Sequence, residues 1–186
     1  LSGEIDYGDG SYYAFYPYSK DLVYYDYSNI RFVQPAVQNY RHNSFSGNAM
    51  PMVARAGNSE VFNFYSLCGV LAVNLTGSET VKSISFSGYD ADGNPMPVAG
   101  DFDVYMGYES YPAISPSRYG DSCSTISSVT LDCGDGVTLD QSNPTAFYIV
   151  LPVGTYNTFA ITVNTVDGKL MLKKSTNPLN IQRANV

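Results

Sequence analysis

The chain has 186 residues, 44% of them hydrophobic and only 15% charged. That balance is too apolar for a disordered chain and too sparsely charged for a helical bundle or coiled coil. The net charge of −7 and pI near 4.4 argue against nucleic acid as a partner, because neutralising a phosphate backbone needs clustered Lys and Arg.

Helical periodicity is nearly missing along the chain, and strand signals recur. Tyr12–Tyr16 reads as a strand that lies on an edge or ends at Pro17. Tyr18–Asn29, rich in Tyr, Asp and Ser, reads as irregular. Ile30–Val33 precedes Pro35, and Pro51–Ala54 is short. Glu60–Leu75 begins with alternation and becomes almost wholly apolar. Period-two alternation places one face in a core, and an unbroken short apolar run is buried on both faces. Thr80–Ser87 puts Val81 out of step and then alternates, with Ile84 and Phe86 on one side. Asp90–Pro95 is a longer turn, and Phe102–Met106 a further strand. Gly107–Ser122 reads as a long exposed loop. Ser124–Cys133 is a strand closed by a turn at Gly134-Asp135-Gly136. Thr145–Leu151 is apolar and ends at Pro152-Val153-Gly154. Phe159–Thr165 and Lys169–Lys173 are joined by Val166-Asp167-Gly168-Lys169, where Asp-Gly accepts the positive φ of a tight hairpin. Short strands punctuated by Gly and Pro predict an all-β sandwich or barrel. The hairpins and the lack of crossover helices predict mostly antiparallel pairing. The length suits one core, so a single β-sandwich domain over 1–186 is expected.

The chemical inventory is sparse. Cys68, Cys123 and Cys133 form no Cys-x-x-Cys pair, which disfavours a zinc knuckle. Cys68 reads as a small buried hydrophobe. Cys123 and Cys133 bracket one strand, about 30 Å long if extended, so a disulfide between them is not favoured unless the chain turns. His42, the only histidine, sits in the polar run Asn39–Ser44 and reads as a solvated loop residue; nothing places it beside Cys68 for nucleophilic catalysis. Asp90-x-Asp92-Gly93-Asn94 begins like a calcium loop but lacks the downstream bidentate Glu, so a β-turn is the better reading. The sequon Asn74-Leu75-Thr76 falls in a strand, and the scattered Asp and Glu give no carboxylate pair for a hydrolase. No catalytic residue, cofactor or metal is expected. Lys169, Lys173, Lys174 and Arg183 are too interrupted for a basic arm, and no run reaches the length of a membrane span.

The 17 tyrosines stand out. They either pack at the margin of the core or offer rings for a protein or a glycan to contact. The candidates for contact are Tyr24, Tyr25 and Tyr27 in the first cluster, and Tyr108, Tyr111 and Tyr119 in the Gly107–Ser122 loop.

Several phrases, in order, resemble the fimbrillin-like surface proteins of Bacteroidales. They are Tyr13-Ala14-Phe15-Tyr16-Pro17-Tyr18-Ser19, Asn48-Ala49-Met50-Pro51-Met52-Val53-Ala54 and Phe64-Tyr65-Ser66-Leu67-Cys68-Gly69-Val70-Leu71. Val81-Lys82-Ser83-Ile84, Thr130-Leu131-Asp132-Cys133-Gly134 and Phe147–Tyr156 follow. The resemblance covers most of the chain. It implies an antiparallel Greek-key β-sandwich of transthyretin-like topology, the N-terminal domain of a two-domain pilin or pilus-tip protein. It also implies a lipoprotein exported to the outer membrane or fimbrium. Its role would be adhesion or pilus assembly, with other fimbrial subunits or host and bacterial surface ligands as partners. Family pilins mature by cleavage after an Arg and assemble by strand donation. The lipid-bearing Cys near the N-terminus is missing here, so a membrane contact would need an anchor outside this chain. Leu1-Ser2-Gly3-Glu4 is not a signal peptide, and the chain stops at Asn180–Val186, about where a second domain would begin. Arg31, Arg41 and Arg55 are available for cleavage, with none preferred. A glycan-binding module of a polysaccharide-uptake system is the alternative expectation.

Overall fold

Branched and aromatic residues alternating with Ser, Thr and Asn suit a pleated backbone, and the chain is essentially all-β. In a computed structural model, residues 12–20, 22–26, 29–56, 61–106, 112–117 and 124–183 are described. Among them there is no α-helix, only a 3₁₀ turn at Gly47–Ala49. The strands are β1 (Tyr12–Tyr16), β2 (Val23–Asp26), β3 (Asn29–Gln34), β4 (Val37–Asn39), β5 (Met52–Ala56), β6 (Phe64–Ser66), β7 (Cys68–Leu75), β8 (Thr80–Tyr89) and β9 (Ala99–Tyr105). They continue as β10 (Ala113–Pro116), β11 (Thr125–Ile126), β12 (Ser128–Thr138), β13 (Thr145–Pro152), β14 (Gly154–Tyr156), β15 (Thr158–Thr165), β16 (Leu170–Ser175) and β17 (Leu179–Ile181).

The pairing is antiparallel throughout the described ladders except that β4 runs parallel to β12. One sheet has the order β16-β15-β8-β12-β4. A second has the order β10-β9-β3-β2, with β11 also on β9. β1-β5-β6 form a smaller sheet, β14 pairs with β17, and β13 and β7 make a two-stranded ribbon. This build is consistent with a β-sandwich.

The ribbon explains the two apolar runs of the sequence. Phe147, Ile149 and Leu151 of β13 and Val73 of β7 join a core with Ile84, Phe86, Val129, Leu131 and Val163 from the β16-to-β4 sheet. Val150 of β13 and Cys68 and Val70 of β7 turn the other way, onto Ile30, Phe32, Phe102 and Val104 of the second sheet and Val53 of β5. The ribbon therefore separates two cores and is buried on both faces, as an unbroken apolar run requires. The side chains that fill these cores each contribute roughly 1.5–3 kcal/mol by burial. Phe86 meets the buried Tyr156 edge-on, with ring centroids 5.3 Å apart, and the Tyr156 hydroxyl donates to the Pro152 carbonyl at 3.0 Å.

Polar side chains hold the ribbon's outer edge. Gln38 on β4 is fully buried. Its amide N–H donates to the Val150 carbonyl at 2.8 Å, and its carbonyl accepts the Val150 N–H at 2.9 Å. One side chain thus occupies the place of a missing neighbouring strand. Gln34, also buried, donates to the Ala49 carbonyl at 2.9 Å and fixes the 3₁₀ turn against β3.

Four expectations need correction. Tyr18–Asn29 is not wholly irregular, because Val23–Asp26 pairs with β3. Glu60–Leu75 is not one strand: the chain breaks at Leu67, whose N–H donates to the Pro51 carbonyl, dividing β6 from β7. Gly134-Asp135-Gly136 does not end its strand. Gly134 and Gly136 take positive φ within a bulge, and pairing with β8 resumes at Val137. The Gly107–Ser122 segment contains β10, paired with β9.

Candidate contact site

Residues 166–168 form a three-residue hairpin loop in which the Gly168 N–H donates to the Thr165 carbonyl and the Thr165 N–H to the Lys169 carbonyl. Gly168 alone needs a left-handed φ, 82°, so the Asp-Gly pair acts through its glycine. The turn fixes how β16 presents itself. Antiparallel pairing alternates residues bonded inwards and outwards. Counting from Thr165–Lys169, Met171 and Lys173 bond to β15, while the backbone groups of Leu170, Leu172 and Lys174 point away from the sheet.

Among the described strands β16 is the outermost of its sheet. Met171 shares the core-side face with its partner Val163, and Leu170 and Leu172 lie on the other face. All three remain exposed, at 66% for Leu170, 49% for Met171 and 51% for Leu172. Lys173 and Lys174, both exposed, follow, and Ser175 ends the strand. Soluble proteins blunt such edges with lysine, and a flat apolar edge is a template for pairing. This edge carries both features, apolar at its start and basic at its end.

A concave feature lies at the opposite edge of the same sheet and runs onto the β1-β5-β6 sheet. One lobe, of about 380 Å³, is lined by Tyr16, Phe45, Gly47, Met50, Met52, Ser66 and Val70. The adjoining lobe, of about 590 Å³, shares Tyr16, Phe45 and Gly47 and adds Asn39, Arg41, Ser44, Ser46 and Asn48 among its walls. Tyr16 is half exposed between them.

Of the residues singled out from sequence, Tyr24 and Tyr25 lie on β2, where Tyr24 pairs with Ile30 through the backbone. Tyr27, Tyr108, Tyr111 and Tyr119 lie outside the described residues, as does Cys123. The described tyrosines divide. Tyr156 is buried, Tyr13 and Tyr148 pack at the margin of the second core, Tyr40 packs on Phe147, and Tyr16 and Tyr18 are exposed. His42 is exposed, with Tyr40 and Asn43 as its side-chain neighbours. Cys68 is buried elsewhere and donates weakly to the Gln34 side-chain Oε1. Burial pushes the Cys68 thiol far above its ordinary range. Burial, and then the Asp132 charge, pushes Cys133 up to about 11. The Asp90 carboxylate accepts from Asp92 N–H, Asn94 N–H and the Asn94 side-chain amide, which closes the turn on itself. Those bonds, the Asn94 amide foremost, lower its pKa. The groove and the exposed apolar start of β16 were not picked out from sequence. The consecutive Leu170-Met171-Leu172 in an otherwise alternating hairpin was the available signal for the second.

No family model, curated protein or solved structure matches the chain.

Proposed function

We propose that this protein is a structural and adhesive module of a bacterial cell surface, of the fimbrillin-like kind, working through non-covalent strand contacts. It would be exported and sit in a fimbrium or at the outer membrane, with other subunits or surface ligands as partners. The carrying observation is β16, an outermost strand with Leu170, Met171 and Leu172 exposed. A neighbour's strand laid along it would satisfy the outward backbone groups of Leu170, Leu172 and Lys174 and cover apolar surface on both faces. No bond is made or broken in such a mechanism. The resemblance of the ordered phrases to fimbrillin-like proteins supports the same reading.

The test is assembly of the full-length protein, followed by light scattering and electron microscopy over a concentration series. Leu172→Pro removes an outward N–H without touching the β15 ladder. Association that this variant abolishes supports the proposal. A protein that stays monomeric at every concentration, or that associates equally well with the proline, refutes it.

A further inference from the structure

The two-lobed groove is built from segments distant in sequence: the end of β1, the 39–50 connection, the start of β5, the end of β6 and β7. Its lobes differ in chemistry. The smaller is walled by Met50, Met52, Val70 and the Tyr16 and Phe45 rings, with Ser66 the one polar side chain besides the tyrosine among the described residues. Flexible thioethers adapt to varied apolar shapes. Among the described residues the larger lobe has the amides of Asn39 and Asn48, the hydroxyls of Ser44 and Ser46, and one charged side chain, Arg41. Among the described residues no carboxylate lines either lobe. In a chain carrying net charge −7, a concavity whose one formal charge among the described residues is a guanidinium favours an anion.

We infer that this groove binds an acidic peptide segment, taking a bulky apolar side chain into the methionine-walled lobe and a neighbouring carboxylate onto Arg41. The lobes meet at Tyr16, Phe45 and Gly47, so a ligand must present its apolar and anionic groups close together. Adjacent residues of a peptide do so. A sugar fits less well, because hydroxyls entering the methionine lobe would leave water for a wall with little to bond them. The volumes fall in the range of pockets that enclose small ligands. This inference stands apart from the strand-pairing proposal, since β4, which carries Asn39, and β16 are opposite edges of one sheet.

Gly47 supplies a clean perturbation. A Cβ built on it meets no atom within 4 Å, and its φ lies outside the left-handed range. A large side chain there has open space at a wall that both lobes share. The probes are fluorescein-labelled eight-residue Gly/Ser peptides with a central Phe-Asp, Phe-Asn or Ala-Asp pair, read by fluorescence polarisation against the full chain. Saturable binding of the Phe-Asp peptide is expected, weakened about tenfold or more by either peptide change, since a charge-assisted contact or a buried ring contributes that much. Gly47→Phe should abolish binding. Arg41→Gln should erase the preference for Asp over Asn, with circular dichroism and melting temperature unchanged in both variants. The inference fails if the Phe-Asp peptide shows no saturation at millimolar concentration, or if it binds Gly47→Phe as well as the parent. It also fails if Asp and Asn peptides bind alike to the parent. Binding of a uronic-acid oligosaccharide, blocked by Gly47→Phe where the peptide shows none, would assign the groove to glycans instead.

Discussion

Gln38 offers the sharpest test of how the ribbon is held. Gln38→Met keeps the side chain's length and approximate volume, so no large cavity forms. It removes the donor to the Val150 carbonyl and the acceptor of the Val150 N–H together. Both Gln38 and Val150 are fully buried, so water cannot simply take over. Each orphaned buried group costs about 1–3 kcal/mol, giving roughly 2–6 kcal/mol for the pair. Against the total of about 5–15 kcal/mol typical of folded domains, that is a large fraction. In urea, with a slope of about 2 kcal/mol per molar, the midpoint should fall by roughly 1–3 M. Gln38→Glu adds a pH signature. A carboxyl here can serve both Val150 groups only while protonated, and burial raises its pKa above the ordinary value of about 4.3. The folded state then holds its proton to higher pH than the unfolded state. Stability relative to the parent must therefore fall as pH rises from about 4.3 towards neutrality. A Gln38→Met loss under about 1 kcal/mol would refute the reasoning, since it would mean the Val150 groups find other partners.

Other outcomes follow from the same geometry. Met171→Pro removes an N–H that β15 uses and should destabilise the hairpin by at least about 1 kcal/mol more than Leu172→Pro, measured by thermal melts of the two variants. A Cβ at Gly88 would lie 2.2 Å from Tyr156 Cδ1 in a ring wedged against Phe86. Gly88→Ala should thus cost about 1–3 kcal/mol in urea unfolding, and an unchanged midpoint would mean the ring can move aside. In a Cys123→Ser background, Cys68 and Cys133 should resist a disulfide reagent in the native protein and react on denaturation, because burial holds both as thiols. The Asp90, Asp140 and Asp167 carboxyls are held below their usual pKa, chiefly by the Asn94 side chain, the Asn143 N–H and the Thr165 hydroxyl respectively. Their folded values lie beneath the unfolded ones, so their contribution is present above about pH 4 and is lost on acidification below it. An Asp90→Asn, Asp140→Asn double variant should show a shallower fall in melting temperature over that window.

The all-β character was legible because burial on one or both faces writes itself into alternation and apolar runs. Thr145–Leu151 and Thr80–Ser87 were read close to their observed bounds for that reason. The short β4 was not, since Val37–Asn39 has no room for a pattern and its role rests on Gln38 standing in for a strand from across the fold. Gly134-Asp135-Gly136 has turn composition, but pairing on the far side resumes and makes it a bulge; only the partner strand reveals this. The Tyr16 groove joins residues from position 16 to position 70 and depends on how β1 lies against β5, which no local spacing encodes. The tyrosine clusters drew attention by number. Among those described, the fully buried one, Tyr156, lies in neither cluster and is placed by its Pro152 hydrogen bond and the close approach of Gly88.

The β7–β13 ribbon is a party wall: taking down either side strips an entire apolar face from it. Neither half of the molecule can therefore melt alone, and heat or denaturant should produce one sigmoidal transition whichever spectroscopic signal is followed. Amides of Val70, Val73, Ile149 and Val150 should exchange with deuterated solvent only through global opening, making them the slowest protons in the protein.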